Sequence, residues 1–416
     1  MNILIKSAKI IDETSPFHLQ IKDVLVTNGI ITQIANTIEA KKQVKTINLE
    51  NLHISCGWFD TSVSFGEPGF EERETIYNGL DVAAKSGFTA VALNPNTFPV
   101  IDTKSAVEFL IHKAAKKNVD LHPIANLTKG AKGEEMAELY DMQKSGAIAF
   151  GDYNKAISNV NLLKISLQYA QNFEALILSF PQENSIAAGY MNEGENSTKL
   201  GLKGIPALAE ELQIARDLFL LEYTGGKLHI PCISTAKSVK LIAEAKKKGL
   251  DVTCSVAVHH LLLTDEKIQD FDANYKVLPP LRTKKDTKAL QKGLEKGIID
   301  MLTSDHNPID IEHKKVAFEH AKFGTIGLES LFGAANLVVD LEKIITALTT
   351  NPRKRFGLEK VCINKNEKAN FTLFNPDYKN TFTDKNIIST SKNTAFLDQK
   401  IKGRVYGIYN NKKLII

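Results

Sequence analysis

The chain of 416 residues lacks any apolar run near the roughly 20 residues that a membrane-crossing helix requires, which excludes an ordinary helical span. Cysteine is scarce. Cys56, Cys232, Cys254 and Cys362 lie far apart and form no CxxC pair. That excludes a disulfide framework and suits a reducing compartment. A charge excess is also missing, with 52 Lys and Arg against 48 Asp and Glu for a net +4. No basic run is interleaved with aromatic residues, so nucleic acid is not expected as a partner. The clusters Lys246-Lys247-Lys248 and Lys284-Lys285 read as solvated helix faces. No short internal repeat or low-complexity tract is visible. The opening MNILIKSAKI is too short and too alternating for a secretory leader, so the expected location is the cytoplasm.

What is present is an ordinary globular composition, 43% hydrophobic and 24% charged, with enough length for a large core and a smaller accessory unit. Residues 1–53 alternate apolar and polar side chains in short runs, with a hairpin signal at Asn28-Gly29. Residues 360–416 repeat that style at Phe371–Phe374 and Val405–Tyr409. The two ends are expected to pair into one small β-sandwich domain. Residues 54–359 differ. Eight continuous apolar runs alternate with amphipathic segments: His53–Phe59, Ala90–Asn94, Leu121–Ala125, Ala147–Phe150, Ala175–Phe180, Lys227–Ile233, Val252–Val258 and Ile298–Thr303. Apolar strands between helices mark parallel β/α units, and eight of them mark a closed (β/α)8 TIM barrel. Helices are expected over Thr75–Ser86, Ala106–Lys117, Pro206–Glu222 and Thr235–Lys248, with Gly87, Gly146 and Gly249 as C-caps.

Residues 58–69 read Trp58-Phe59-Asp60-Thr61-Ser62-Val63-Ser64-Phe65-Gly66-Glu67-Pro68-Gly69. This segment resembles the first barrel strand of the amidohydrolase superfamily, and of dihydroorotases in particular, where an acidic residue precedes His-x-His and Arg-Glu-Pro-Gly. The resemblance runs along nearly the whole chain. It includes Pro95-Asn96-Thr97, Leu127-Thr128-Lys129-Gly130, Met191-Asn192-Glu193-Gly194, His259-His260-Leu261, Pro279-Pro280-Leu281-Arg282, Ser304-Asp305-His306 and Lys402-Gly403-Arg404-Val405. It implies an amidohydrolase-type barrel that opens a cyclic amide with a metal-activated water, because unassisted water is a poor nucleophile at neutral pH.

The same resemblance shows what has been replaced. Ser62 and Ser64 stand at the two strand-one His positions, Ser179 at a strand-five His and Cys232 at a strand-six His. Asp152 matches the bridging aspartate and Asp305 the catalytic one. Gly66 replaces the Arg that would pair with the substrate carboxylate, and a guanidinium fork has no substitute in glycine. Leu278 and Ile309 replace an Asn and a His at the substrate side, while Asn96 is retained. Asn96 and His306 are the remaining candidates for substrate contact. Neutral hydroxyls hardly ionise and bind zinc weakly, so no metal is expected. A residual single zinc held by Asp152, Cys232 and Asp305 is the alternative. His229 lies three residues before Cys232 on a strand, so the two point to opposite faces. His259-His260 reads as a loop-fixing pair. A Cys232-His306-Asp305 nucleophile arrangement has no support in the pattern.

Two readings follow. In the first, the chain is a non-catalytic member of pyrimidine biosynthesis that assembles with the aspartate transcarbamoylase catalytic subunit, as a homodimer. In the second, it is an active cyclic amide hydrolase with a reduced site. If Asp152 and Asp305 share one pocket, like-charge repulsion raises one pKa unless a Lys, Arg or water relieves it.

Overall fold

The computed structural model of this chain describes residues 2–39 and 44–416. Eight parallel strands follow one another around a barrel: β1 Trp58–Val63, β2 Phe88–Leu93, β3 Asp120–Ala125, β4 Ala149–Phe150, β5 Leu176–Leu178, β6 Lys227–Ile230, β7 Val252–Ala257 and β8 Met301–Thr303. Every residue of β1 and β2 is buried. Strands covered on both faces need apolar residues on both, which is why the sequence shows runs there instead of alternation. Alternate positions divide the work. Trp58, Val91 and Leu228 face the surrounding helices, while Phe59, Ala92, Ile124, Leu176 and Met301 form a separate cluster inside the barrel with Phe356.

The ring closes between β8 and β1. Val63 pairs in parallel with His306, and the Ser64 amide donates to the His306 carbonyl at 2.6 Å. The buried Asp60 carboxylate ties the same seam, accepting from the Ser304 amide at 3.0 Å and from the Thr303 hydroxyl. The helices begin where the capping residues stand. Thr75 caps Ile76–Lys85 and Thr235 caps Ala236–Lys247, each hydroxyl accepting a backbone N–H of the first turn. Gly87, Gly146 and Gly249 follow helix ends with φ of 97°, 109° and 82°, a conformation in which a Cβ is strained.

Strands from the two chain ends form one mixed eight-stranded sheet with its own apolar core. Asn28 and Gly29 make the turn between Ile21–Thr27 and Ile30–Ala35. Two expectations need correction. The apolar run His53–Phe59 is two strands. His53–Cys56 pairs with Lys9–Ile11 on one side and Phe371–Phe374 on the other, so the chain crosses into the barrel at Gly57, and not after His53. The C-terminal segment is also not confined to the terminal sheet: Phe382, Ile387 and Phe396 pack in the barrel's core. Periodicity cannot assign an apolar residue to one of two adjoining cores, because both bury it equally well.

Candidate active site

The C-terminal ends of the barrel strands meet at a small cavity. Its volume is about 20 Å³, and its lining includes Ser62, Asn94, Tyr153, Cys232, Leu278 and Asp305. Three of the reactive-looking residues sit on strained backbone, with φ of 55° at Tyr153, 52° at Cys232 and 47° at Asp305. Such conformations cost on the order of 1 kcal/mol or more and persist where a fold aims a side chain into a site. The barrel therefore still aims these groups inward.

The hydroxyls at the eroded positions are engaged. Ser62 Oγ donates to Asp305 Oδ1 at 3.0 Å. Asn94 Nδ2 donates to Ser62 Oγ at 3.0 Å and to Ser64 Oγ at 3.2 Å. Tyr153 donates its phenol proton to Asp305 Oδ1 at 3.4 Å. Ser179 turns away and donates to the buried Asp217 at 2.6 Å. Asp305 is buried, and its carboxyl is pushed up to about 6, mainly by desolvation. Hydrogen bonding from Ser62 opposes that rise, and the Asp60 charge adds to it. Burial, with the Asp305 charge beside it, pushes the Cys232 thiol well above its ordinary value.

Asp152 and Asp305 do not form the repelling pair that the sequence suggested. Asp152 Oδ1 accepts from Asn126 Nδ2 at 3.2 Å and from the Leu127 and Thr128 amides at 3.0 and 3.1 Å, and Oδ2 accepts from the Thr128 hydroxyl. It pins the loop after β3, and the carboxylate acting on Asp305 is Asp60. His306, a candidate for substrate contact, is fully buried. Its Nε2 faces Glu74 Oε2 at 2.8 Å and its Nδ1 accepts the Gly327 amide at 3.2 Å, so both nitrogens brace the fold. Asn96 is half-buried and lies outside the cavity lining. His229 bonds Thr253 Oγ1 at 2.9 Å and Ser255 Oγ at 3.2 Å, apart from the cavity. His260 Nε2 lies 2.9 Å from the Pro279 carbonyl, joining the segment after β7 to that loop.

Gly66 is more than a missing guanidinium. A Cβ there would lie 1.7 Å from the Phe70 carbonyl oxygen, and the Phe70 amide donates to Gly66 O at 2.8 Å. The loop has closed over the place a side chain would leave by. Ile309 is buried, its amide held by Asn393 Oδ1 at 3.1 Å.

The donor set does not fit the zinc that the resemblance implies. The hydroxyls of Ser62 and Ser179 are already donated to carboxylates, that of Ser64 accepts from Asn94, Asp152 is saturated by four donors, and the Cys232 thiol resists ionisation. Among the described residues no three His, Cys, Asp or Glu side chains are grouped to hold an ion. Asn94, Tyr153 and Asp60 were not singled out from the sequence. Asn94 follows directly on β2 and Tyr153 lies three residues beyond the end of β4, and a place after a strand end is the signal that could have found them. No described helix is long and apolar enough to cross a membrane.

Comparison with known proteins agrees with this architecture. A family model described as dihydro-orotase-like matches residues 53–238. A dihydroorotase of Pelotomaculum thermopropionicum is 39% identical over 97% of this chain and 96% of that protein. One from Acetivibrio thermocellus is 36% identical over 100% and 99%. Among solved structures, the L-hydantoinase of Arthrobacter aurescens superposes with a TM-score of 0.85 at 20% identity, covering 99% of this chain and 95% of its own. A dihydropyrimidinase of Brevibacillus agri gives 0.84 at 19%, covering 100% and 95%. At such identity these structures speak for the fold alone: a (β/α)8 barrel of the amidohydrolase type with a β-sandwich domain. By sequence likeness along its whole length, the chain belongs to the dihydroorotase family.

Proposed function

We propose that this chain is a non-catalytic dihydroorotase-family barrel of pyrimidine biosynthesis that acts as a structural partner of the aspartate transcarbamoylase catalytic subunit. The observation that carries the loss of catalysis is the cavity. At about 20 Å³ it has room for roughly one water. Pockets that hold small organic ligands run to about 300 Å³ or more. Tyr153 and Leu278 stand in that lining, and no described guanidinium reaches into it. Asp305 could accept a proton, but ring-amide hydrolysis also needs an activated nucleophile and a group to stabilise the oxyanion. In the lining, Asn94 Nδ2 is spent on Ser62 and Ser64, the Tyr153 phenol on Asp305, and the buried Cys232 thiol resists ionisation, so no activated nucleophile is at hand. The test is to assay purified protein with added zinc for cyclisation of carbamoyl aspartate and opening of dihydroorotate, with elemental analysis of the same preparation. Turnover that a chelator abolishes defeats the reading. For the partner, co-elution with aspartate transcarbamoylase catalytic subunit on gel filtration is the expected result. Separate elution at micromolar concentrations defeats that half.

A second reading, an active hydrolase with a reduced site, is favoured by the names of the relatives and by the placing of Cys232 beside Asp305. Its third expected ligand, Asp152, is committed to the loop after β3. One equivalent of tightly held zinc together with turnover supports this reading over the first.

A further inference from the structure

A second cavity lies at the other end of the barrel, with a volume of about 330 Å³. Its cations are Arg353, Lys354 and Lys360, and Leu358 and Val361 stand beside them. Thr14 reaches it from the terminal sheet, between the strands Ile3–Ile11 and Ile21–Thr27. Arg353 fixes the place. Its Nη2 donates to the Gly57 carbonyl at 3.3 Å and to Thr89 Oγ1 at 3.2 Å. Gly57 precedes β1 and Thr89 is the second residue of β2, so the guanidinium lies under the N-terminal strand ends, opposite the Asp305 cavity.

Arg353 is only 7% exposed, yet it is poorly satisfied. Both of its hydrogen bonds leave from Nη2. Its buried Nε has no partner, and Nη1 makes no hydrogen bond among the described residues. A tether between barrel and sheet accounts for Nη2 and leaves the other donors of the fork without acceptors. The charge is unmatched as well. The lining holds no carboxylate. Asp120 and Glu359 act on Arg353 from a distance, and each is engaged elsewhere: Asp120 Oδ1 accepts from Asn411 Nδ2 at 2.9 Å, and Glu359 pairs with Lys368 at 2.9 Å. A buried charge without a counter-charge is costly, and an anion in the cavity would relieve it.

The lining also selects among anions. Three cations facing one space favour a doubly charged group, and a phosphate monoester carries about −1.5 to −2 at pH 7 with three acceptor oxygens. Thr350, exposed at the rim, adds a hydroxyl. Bare phosphate would leave Leu358, Val361 and most of the volume unfilled, and about 300 Å³ is where pockets for small organic ligands begin.

We propose that this junction of barrel and terminal sheet binds a phosphate monoester with a small organic body, the phosphate on Arg353, Lys354 and Lys360 and the body against Leu358 and Val361. The site is separate from the Asp305 cavity, so the proposal stands whether or not the barrel turns over substrate.

Calorimetry on the full chain tests it, with phenyl phosphate as the probe and inorganic phosphate and benzoate as comparisons. Phenyl phosphate should bind at least about tenfold more tightly than either and should raise the melting temperature. Changing Lys354→Ala and Lys360→Ala together, both at exposed positions, should weaken binding about tenfold or more. Arg353→Gln should abolish measurable binding. Circular dichroism melts establish that each variant is folded, and the lysine variant decides alone if Arg353→Gln is not. Absence of heat and of a melting shift at millimolar phenyl phosphate overturns the proposal. So does binding that the lysine changes leave intact, which would put the ligand elsewhere. Equal affinity for benzoate overturns the phosphate assignment, and equal affinity for inorganic phosphate overturns the organic body.

Discussion

Asp305→Asn tests directly whether the cavity still has a use for charge. The Asp305 carboxyl is held at about 6, against 3.8 for an ordinary aspartate, because burial and the nearby Asp60 charge disfavour ionisation. The folded protein thus binds a proton more tightly than the unfolded chain between those values. Stability falls as pH rises from about 3.8 through 6, and the loss is complete above that range. A difference of 2.2 units at 1.36 kcal/mol each sets an upper figure of about 3 kcal/mol. Asparagine keeps the acceptor oxygen for Ser62 and Tyr153 and carries no charge. The variant should therefore be more stable than the parent by up to about 3 kcal/mol at pH 8, by about half that at pH 5, and by little at pH 4. Urea denaturation followed by the fluorescence of Trp58, the sole tryptophan, measures this. Trp58 is buried against Phe332 and Phe374, at the boundary of the barrel and the terminal sheet, so it reports on both. If Asp305 instead ligates a metal or acts in turnover, the substitution should destabilise the zinc-loaded protein and remove activity. Either result refutes the argument.

Three further outcomes are expected. Ser62→His alone should restore no measurable dihydroorotate turnover in the presence of zinc, because no second histidine and no free carboxylate complete a site; a large recovery would mean the remaining donors are closer to intact than the hydrogen bonding indicates. Gly66→Arg should lower stability by about 2 kcal/mol or more in a denaturant melt, since its Cβ meets the Phe70 carbonyl, and should restore no substrate binding by calorimetry. His306→Ala should cost about 3–5 kcal/mol in the same melt, because it strands Glu74 in the interior. Burial alone lowers the His306 pKa, but hydrogen bonding and charge from Glu74 raise it above its ordinary value. With Nδ1 accepting the Gly327 amide, the ring donates its Nε2 proton to Glu74, and a substitution without effect on stability would contradict that brace.

Much of the barrel was legible in the sequence because its strands are buried on both faces, which leaves unbroken apolar runs, and because Thr75, Thr235 and Gly87 mark helix ends chemically. The expectation that Ser62, Ser64, Ser179 and Cys232 stand at histidine positions rests on resemblance, since a strand position identifies itself by its flanks. Other features were not. Nothing local says that Asp152 pins the 126–128 loop and leaves Asp305 to itself, or that His306 spends both nitrogens on Glu74 and Gly327. Those partners lie far along the chain, and hydrogen bonds between distant residues leave no periodic trace. Tyr153 was overlooked for the same reason: a tyrosine beside an aspartate is unremarkable until the barrel closes and brings its hydroxyl to Asp305.

The amino-acid order by itself determined the alternation of strand and helix, the family, and that residues 62, 64 and 179 are serines and 232 a cysteine, because burial periodicity and residue identity are properties of short stretches. Only the tertiary structure decided that the cavity has the volume of about one water, that the Phe70 carbonyl lies where a side chain at residue 66 would begin, and that Leu208, Leu212, Phe219 and Tyr223 stay outside. Volume, closure and exposure depend on what other segments of the chain occupy, and no local pattern carries that information.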